Sequence, residues 1–219
     1  MIGSLKMRLA LGILAAASLP AQHSRPEHPG RRLVIHLCDS AGTSPRMIEE
    51  ATREAARVLA TAGVEAVWQR IPADSPEAHM EDQSAIVFPG VAPDDRGYLV
   101  VRIVRGFPAR VLPGALGYAL PNAQSGVQAT IFYDRVEPLG QANEISVSAL
   151  LGDALAHEIG HVLLGSTDHA PDGIMKARWG KADFQQAAMG LLAFNSWERA
   201  AIRERLSFQS ARWVKESAK

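Results

Sequence analysis

Two periods of apolar residues alternate along this chain, and the changes of period divide it into elements. Residues 33–38 (LVIHLC) form a short apolar run bounded by turn residues, the pattern of a buried strand. Ser44 and Pro45 then offer an N-cap followed by proline at the first helical position, where its missing N–H costs nothing. Met47, Ile48, Ala51, Ala55, Val58, Leu59 and Ala62 follow at helical spacing, with Glu49, Glu50, Arg53, Glu54 and Arg57 on the other face. Gly63 closes this helix, and residues 64–69 (VEAVWQ) alternate as a half-buried strand does. Strand, helix, strand predicts a parallel pair under one helix, because parallel neighbours need a crossover connection.

Residues 85–88 and 99–104 are further strand candidates on either side of a loop at 89–97. Residues 114–120 (GALGYAL), between Pro113 and Pro121, suit an edge strand. Residues 129–136 (ATIFYDRV) predict a strand along their whole length, followed by a long helix from about Ile145 to Leu164 with Gly165 as its stop. After an irregular stretch, Asn195-x-x-Glu198 has the pattern of a capping box and opens a last helix, to about Leu206. No internal repeat or linker separates two domains. The expected organisation is one α/β (α+β) domain over residues 33–207, with a larger part at 33–165, a smaller one at 166–207, and a tail at 208–219.

Composition narrows the function classes. Of 219 residues, 23 are Lys or Arg and 23 are Asp or Glu, so the formal net charge is zero and no basic excess points to nucleic acid. Hydrophobic residues at 47% and charged ones at 21% exclude a wholly disordered chain. A single cysteine, Cys38, excludes a disulfide framework and a Cys-rich zinc module.

Lys6 and Arg8 precede an uncharged run at 9–19, and Pro20, Ala21 and a polar stretch follow it. This is the layout of a signal peptide, here 1–21, and the run falls short of the roughly 20 apolar residues that span a bilayer. The expectation is a secreted or periplasmic protein with no stable membrane anchor once the signal is removed. Losing Lys6 and Arg8 leaves 21 basic residues against 23 acidic ones. Residues 22–32, polar and Pro-rich, read as a leader, and His23 and His28 sit in it.

Chemistry concentrates in the long helix, at His157-Glu158-Ile159-Gly160-His161. Histidines at i and i+4 lie about 40° apart around a helix and about 6 Å along it, so both imidazoles reach one cation from the same face. Glu158, about 100° round from His157, stands beside such a cation, where it can take a proton from water. Leu150, Leu151, Ala154, Leu155, Val162, Leu163 and Leu164 make this helix apolar on most sides. A buried His-Glu-His cluster needs partners, and a metal supplies them. Gly165 then breaks the helix, His169 comes eight residues after His161, and Met175 stands in Asp172-Gly173-Ile174-Met175, a tight-turn sequence.

Here the chain resembles the metzincin zinc peptidases, and among them the matrixin-like branch. The resemblance implies a mixed twisted sheet with a backing helix and an active-site helix, and a small C-terminal subdomain ending in a helix. It implies one catalytic Zn2+ held by His157, His161 and His169, Glu158 as general base, and Met175 as the hydrophobic floor of a Met-turn. It makes 114–120 the edge strand, with Gly117, Tyr118 and Ala119 holding an extended peptide or protein substrate by strand addition. The implied activity is that of a zinc-dependent endopeptidase.

The family spacing is HExxHxxGxxH, whereas here the glycine comes one residue late and the third histidine two residues late (HEIGHVLLGSTDH). Asp168 is the adjacent alternative to His169, and Glu198 or Glu204 would give a thermolysin-like ligand set. Ala177 stands where some metzincins carry a tyrosine. The same scaffold would also serve as a zinc-binding interaction module without turnover, or as a hydrolase of a non-peptide amide. Cys38 suits core packing better than a zymogen latch. His36 on a strand and His79 in a polar loop suit ordinary roles. Asp94, Asp95 and Asp134 are candidates for a structural Ca2+ site, with loop carboxylates the commoner role. Trp179, Phe184 and Phe194 read as core beneath the final helix.

Overall fold

Alternation along the first strand sets the layers. The computed structural model describes residues 31–76, 98–107, 113–121 and 127–217. Residues 1–30, His79, residues 85–88, Asp94 and Asp95 lie outside them, while the last two residues of the expected leader, Arg31 and Arg32, are described. In β1 (Arg31–Asp39), Leu33, Ile35 and Leu37 turn to one face and are buried. Ser44 caps α1 (Pro45–Thr61), its Oγ accepting from the Met47 N–H at 3.2 Å, with Pro45 in the first turn. Ile48, Ala51, Ala55, Val58 and Leu59 form the buried stripe of α1, while Arg46–Glu50 and Arg53–Glu49 pair on its outer side. Gly63, at φ 79°, turns the chain into β2 (Val64–Ile71), which lies parallel to β1 from Arg31↔Val64 to Cys38↔Ile71. The parallel pair under one helix is as the pattern predicts.

β3 (Tyr98–Val104) joins the other side of β1, also parallel, and β5 (Val127–Phe132) adds parallel to β3. β4 (Gly117–Ala119) runs antiparallel on the far side of β5, and the sheet order is β2-β1-β3-β5-β4. The sheet is therefore mixed, with β4 at one edge. Leu99, Val101, Ile103, Ala129 and Ile131 face the same way as Leu33 and Ile35 and join one core with the helices.

One sequence expectation fails at β5. The strand ends at Phe132, and Tyr133 opens α2 (Tyr133–Ala142) with no loop between. Tyr133, Val136 and Gly140 are buried at a spacing of three to four, so the period changes within what reads as one apolar run. Pro138 and Gly140 argue against a helix locally, since Pro138 forfeits a backbone hydrogen bond and its ring crowds the carbonyl one turn earlier, but packing against the helix that follows makes up for it.

α3 (Val147–Leu164) follows, buried over nearly all its surface. By length and composition it could cross a membrane, but 78% of it is buried inside the fold, as a central core helix is. It crosses α1 at Gly152, where a Cβ would stand 2.5 Å from the Ala51 carbonyl oxygen and 2.6 Å from Glu54 Cβ. Only glycine lets the two helices approach so closely. A short helix that the pattern does not reveal, α4 (Lys181–Ala188), follows the turn region, and its start is tied by the Gly180 N–H to Asp183 Oδ2 at 2.7 Å. The last helix, α5 (Ser196–Ser217), runs well past Leu206. Its start carries the reciprocal capping box: the Asn195 N–H donates to Glu198 Oε2 at 2.8 Å, and the Glu198 N–H to Asn195 Oδ1 at 2.9 Å.

Candidate metal centre

The centre is built where α3 stops. Gly165 takes the left-handed conformation (φ 64°), so the Ser166 N–H reaches the His161 carbonyl and the Gly165 N–H the Val162 carbonyl, both at 3.2 Å. This is a Schellman closure, which satisfies the last carbonyls of the helix and reverses the chain. The reversal presents the Ser166 carbonyl oxygen to His161, whose Nδ1–H donates to it at 2.9 Å. A second turn does the same for His157. Gly173, at φ 72°, folds residues 172–175 tightly, the Ile174 N–H is held by the Ala193 carbonyl at 2.9 Å, and the Ile174 carbonyl accepts from His157 Nδ1–H at 2.7 Å. Trp179 Nε1–H donates to the same carbonyl at 3.0 Å.

Because a carbonyl oxygen only accepts, both Nδ1 atoms carry the proton and both Nε2 atoms present lone pairs. Those two Nε2 atoms face each other at 3.2 Å. Two lone pairs at that separation need a cation between them. A proton is disfavoured, since burial pushes His157 down to about 3 and lowers His161 as well. His169 completes the group: its ring lies 4.8 Å from that of His161 and 5.4 Å from that of His157, and the ligand atoms of all three are within 4.8 Å of one another. His157 and His161 are buried and His169 is exposed. The donor set of three imidazoles suits zinc and leaves a coordination position open.

The extra residues before His169 are taken up locally. The Asp168 N–H donates to Ser166 Oγ at 3.0 Å, and Ser166 Oγ–H donates to Asp168 Oδ2 at 2.8 Å. Asp168 is thus folded back on Ser166, and His169 is the residue that joins the group. Beyond it, the Ala170 N–H donates to the Met175 carbonyl at 2.9 Å, closing the loop. Glu198 is engaged in its capping box and is not one of the group.

Glu158 is buried, and burial alone pushes its carboxyl up to about 8. Beside it lies β4. Gly117 is buried and Tyr118 and Ala119 are half-buried, with Tyr118 tilted against Phe132 at 5.9 Å between centroids. Met175, 1% exposed, lies against Gly160, where a Cβ would come within 2.6 Å of its sulfur and 2.7 Å of Phe194 Cε1. The sequence reading missed Gly160 and the carbonyls of Ser166 and Ile174. Gly160 did leave a signal, since glycine inside a helix costs about 1 kcal/mol relative to alanine and so marks a close approach. The carbonyls left none.

Other candidates take ordinary places. Cys38 is fully buried beside Ser40, Sγ to Oγ 3.4 Å. His36 stacks on Tyr98 and meets Gln69 Oε1 at 3.1 Å. Asp134 accepts from Arg105 Nη1 at 3.1 Å and the Gly106 N–H at 2.6 Å.

No protein-family model and no curated relative matches the chain. Solved structures do. Archaemetzincin from Methanopyrus kandleri superposes with a TM-score of 0.51 at 15% identity, covering 83% of this chain and 99% of that one. A zinc-dependent peptidase from Methanocorpusculum labreanum gives 0.51 and 15%, over 77% and 99%. The chain has the fold of these two proteins. At this identity the likeness speaks for architecture, and the site must be argued from its own residues.

Proposed function

We propose that this chain is an exported zinc-dependent endopeptidase. The observation that carries the proposal is the pair of buried Nε2 atoms at 3.2 Å, each with its Nδ1 proton committed to a backbone carbonyl and with His169 in reach. His157, His161 and His169 would hold the zinc, and the two carbonyls orient the first two rings. Zinc there supplies Lewis acidity towards water and the scissile carbonyl. Glu158 accepts the proton of the attacking water and passes it to the leaving amine. β4 supports the peptide reading: its outer edge offers Gly117, Tyr118 and Ala119 to an extended substrate, which is held by backbone hydrogen bonds. His169 as third ligand and Met175 beneath the site are the matrixin-like part of the proposal. Export rests on Lys6, Arg8 and the apolar run after them.

The test is a Glu158→Gln variant. It should keep about one zinc per chain, as the three histidines of a catalytic site require, and lose hydrolysis of peptides that the wild type cuts. Retained hydrolysis would remove Glu158 from the role of base. An N-terminus that begins after Ala17 or Ala21 in exported material supports the localisation, and an intact Met1 there overturns it.

A further inference from the structure

A cavity of about 630 Å³ opens beside the triad, between the 166–171 turn and the first turns of α5. Leu164, Ala170, Pro171, Met175 and Ala201 give it apolar walls, and Trp197, 71% exposed, stands at its rim. His169 belongs both to the triad and to the cavity wall, so a peptide held at the metal centre is within a long side chain's reach of it.

The charges lining this cavity are unbalanced. Glu198 is 1% exposed; its Oε2 is used by the capping box, and its Oε1 has no hydrogen-bond partner among the described residues. A carboxylate oxygen so buried ordinarily finds a donor. Glu204 and Asp168 add negative charge to the lining. Arg205, the cation there, lies instead over Gly165, where a Cβ would stand 2.2 Å from its Nη1, at the negative end of the α3 dipole. Burial raises the Glu198 carboxyl above its ordinary range, the hydrogen bond from the Asn195 N–H opposes this, and the smaller effects of Asp172 and Arg199 push up and down respectively. A cation brought against it restores the ionised form.

We propose that this cavity is a specificity subsite for a basic side chain of the substrate, lysine or arginine, whose aliphatic stem lies along the apolar walls and whose cationic head lies among the carboxyl groups of Glu198, Glu204 and Asp168 that line it. The proposal rests on the peptidase reading of the triad.

Zinc-loaded full-length protein is given otherwise identical fluorogenic peptides with lysine, arginine, norleucine or glutamate at each position in turn around the cleavage site. At one position, kcat/KM for lysine and arginine should exceed that for norleucine by about tenfold to a hundredfold. Glu198→Gln keeps an acceptor for the Asn195 N–H and should collapse that ratio. Ala201→Leu leaves the cap untouched and should shrink the ratio by filling the cavity. Norleucine or glutamate cleaved as well as lysine at every position would overturn the subsite while the peptidase reading stands. If the wild type cuts none of the peptides, the peptidase reading fails and binding decides the cavity. Fluorescence anisotropy then supports it if lysine peptides bind more tightly than norleucine ones, and overturns it if they bind alike.

Discussion

The backbone of Gly117 rests against the side chain of Glu158: a Cβ at 117 would stand 3.0 Å from both Glu158 Cγ and Oε1. A strand edge and a buried carboxyl are thereby brought within one peptide unit of each other. Any extended chain that adds to that edge lies beside the carboxyl.

The contact makes Gly117→Ala a sharp test. The added methyl would also meet the Thr130 carbonyl oxygen at 2.4 Å, which is backbone of the paired strand and cannot swing aside. Destabilisation of about 1–3 kcal/mol is expected, as for other overpacked sites. Peptide hydrolysis should fall further than stability does, because β4 and Glu158 are pushed apart. Melting curves and kcat/KM on one peptide separate the two effects, and full activity in a folded variant would count against β4 as the substrate edge.

Gly160→Ala should also cost about 1–3 kcal/mol, since its methyl collides with Met175 and Phe194. Met175→Ala removes one of those obstacles. The double variant should therefore be more stable than the sum of the single losses predicts, with a coupling on the order of 1 kcal/mol. Urea titration of the four proteins measures it; strict additivity would mean that the two residues do not touch.

Asp153 gives the fold a pH dependence separate from the histidines. It stands one turn before His157, fully buried, with no hydrogen-bond donor to either oxygen among the described residues. Burial first, and then the charge of Glu54, raises its carboxyl from 3.8 to about 8, with Arg57 opposing. A carboxyl raised in the folded state holds its proton more tightly there than in the unfolded chain. Its contribution is whole below pH 3.8 and is lost as the pH rises towards about 8. The loss is on the order of 5 kcal/mol across that window. Asp153→Asn should flatten this slope and gain on the wild type as pH rises. Denaturant unfolding of both metal-free proteins at pH 5 and pH 8 reads the difference, and the titrations of His157 and Glu158, present in both proteins, cancel from the comparison. Parallel pH profiles would refute it.

Removing metal should expose the cost of the facing Nε2 atoms. A chelator is expected to lower the melting temperature, and zinc at about a hundred times its dissociation constant to restore about 2.7 kcal/mol. The His157→Ala, His161→Ala double variant should carry no zinc and show no zinc-dependent shift. Elemental analysis that finds full stoichiometry in that variant would place the metal elsewhere.

What the sequence by itself determined is local. Ser44 with Pro45, Asn195 with Glu198, and Gly165 each satisfy helix-end groups within a few residues of themselves, so they are legible without the fold. The i, i+4 pair His157 and His161 is legible for the same reason, since helix geometry alone puts both rings on one face. Where two local signals competed, the chain had to be folded to decide. Residues 129–136 change from strand to helix at Tyr133, and α4 forms, because packing against α3 outweighs weak propensities. The tertiary structure alone decided the rest: that His169 and not Asp168 joins the other two histidines, that the Ile174 and Ser166 carbonyls set their tautomers, that Gly117 meets Glu158, and that Glu198 lines a cavity. Each of these depends on the direction in which layers and turns bring distant residues together, and hydrophobic spacing carries no information about that direction.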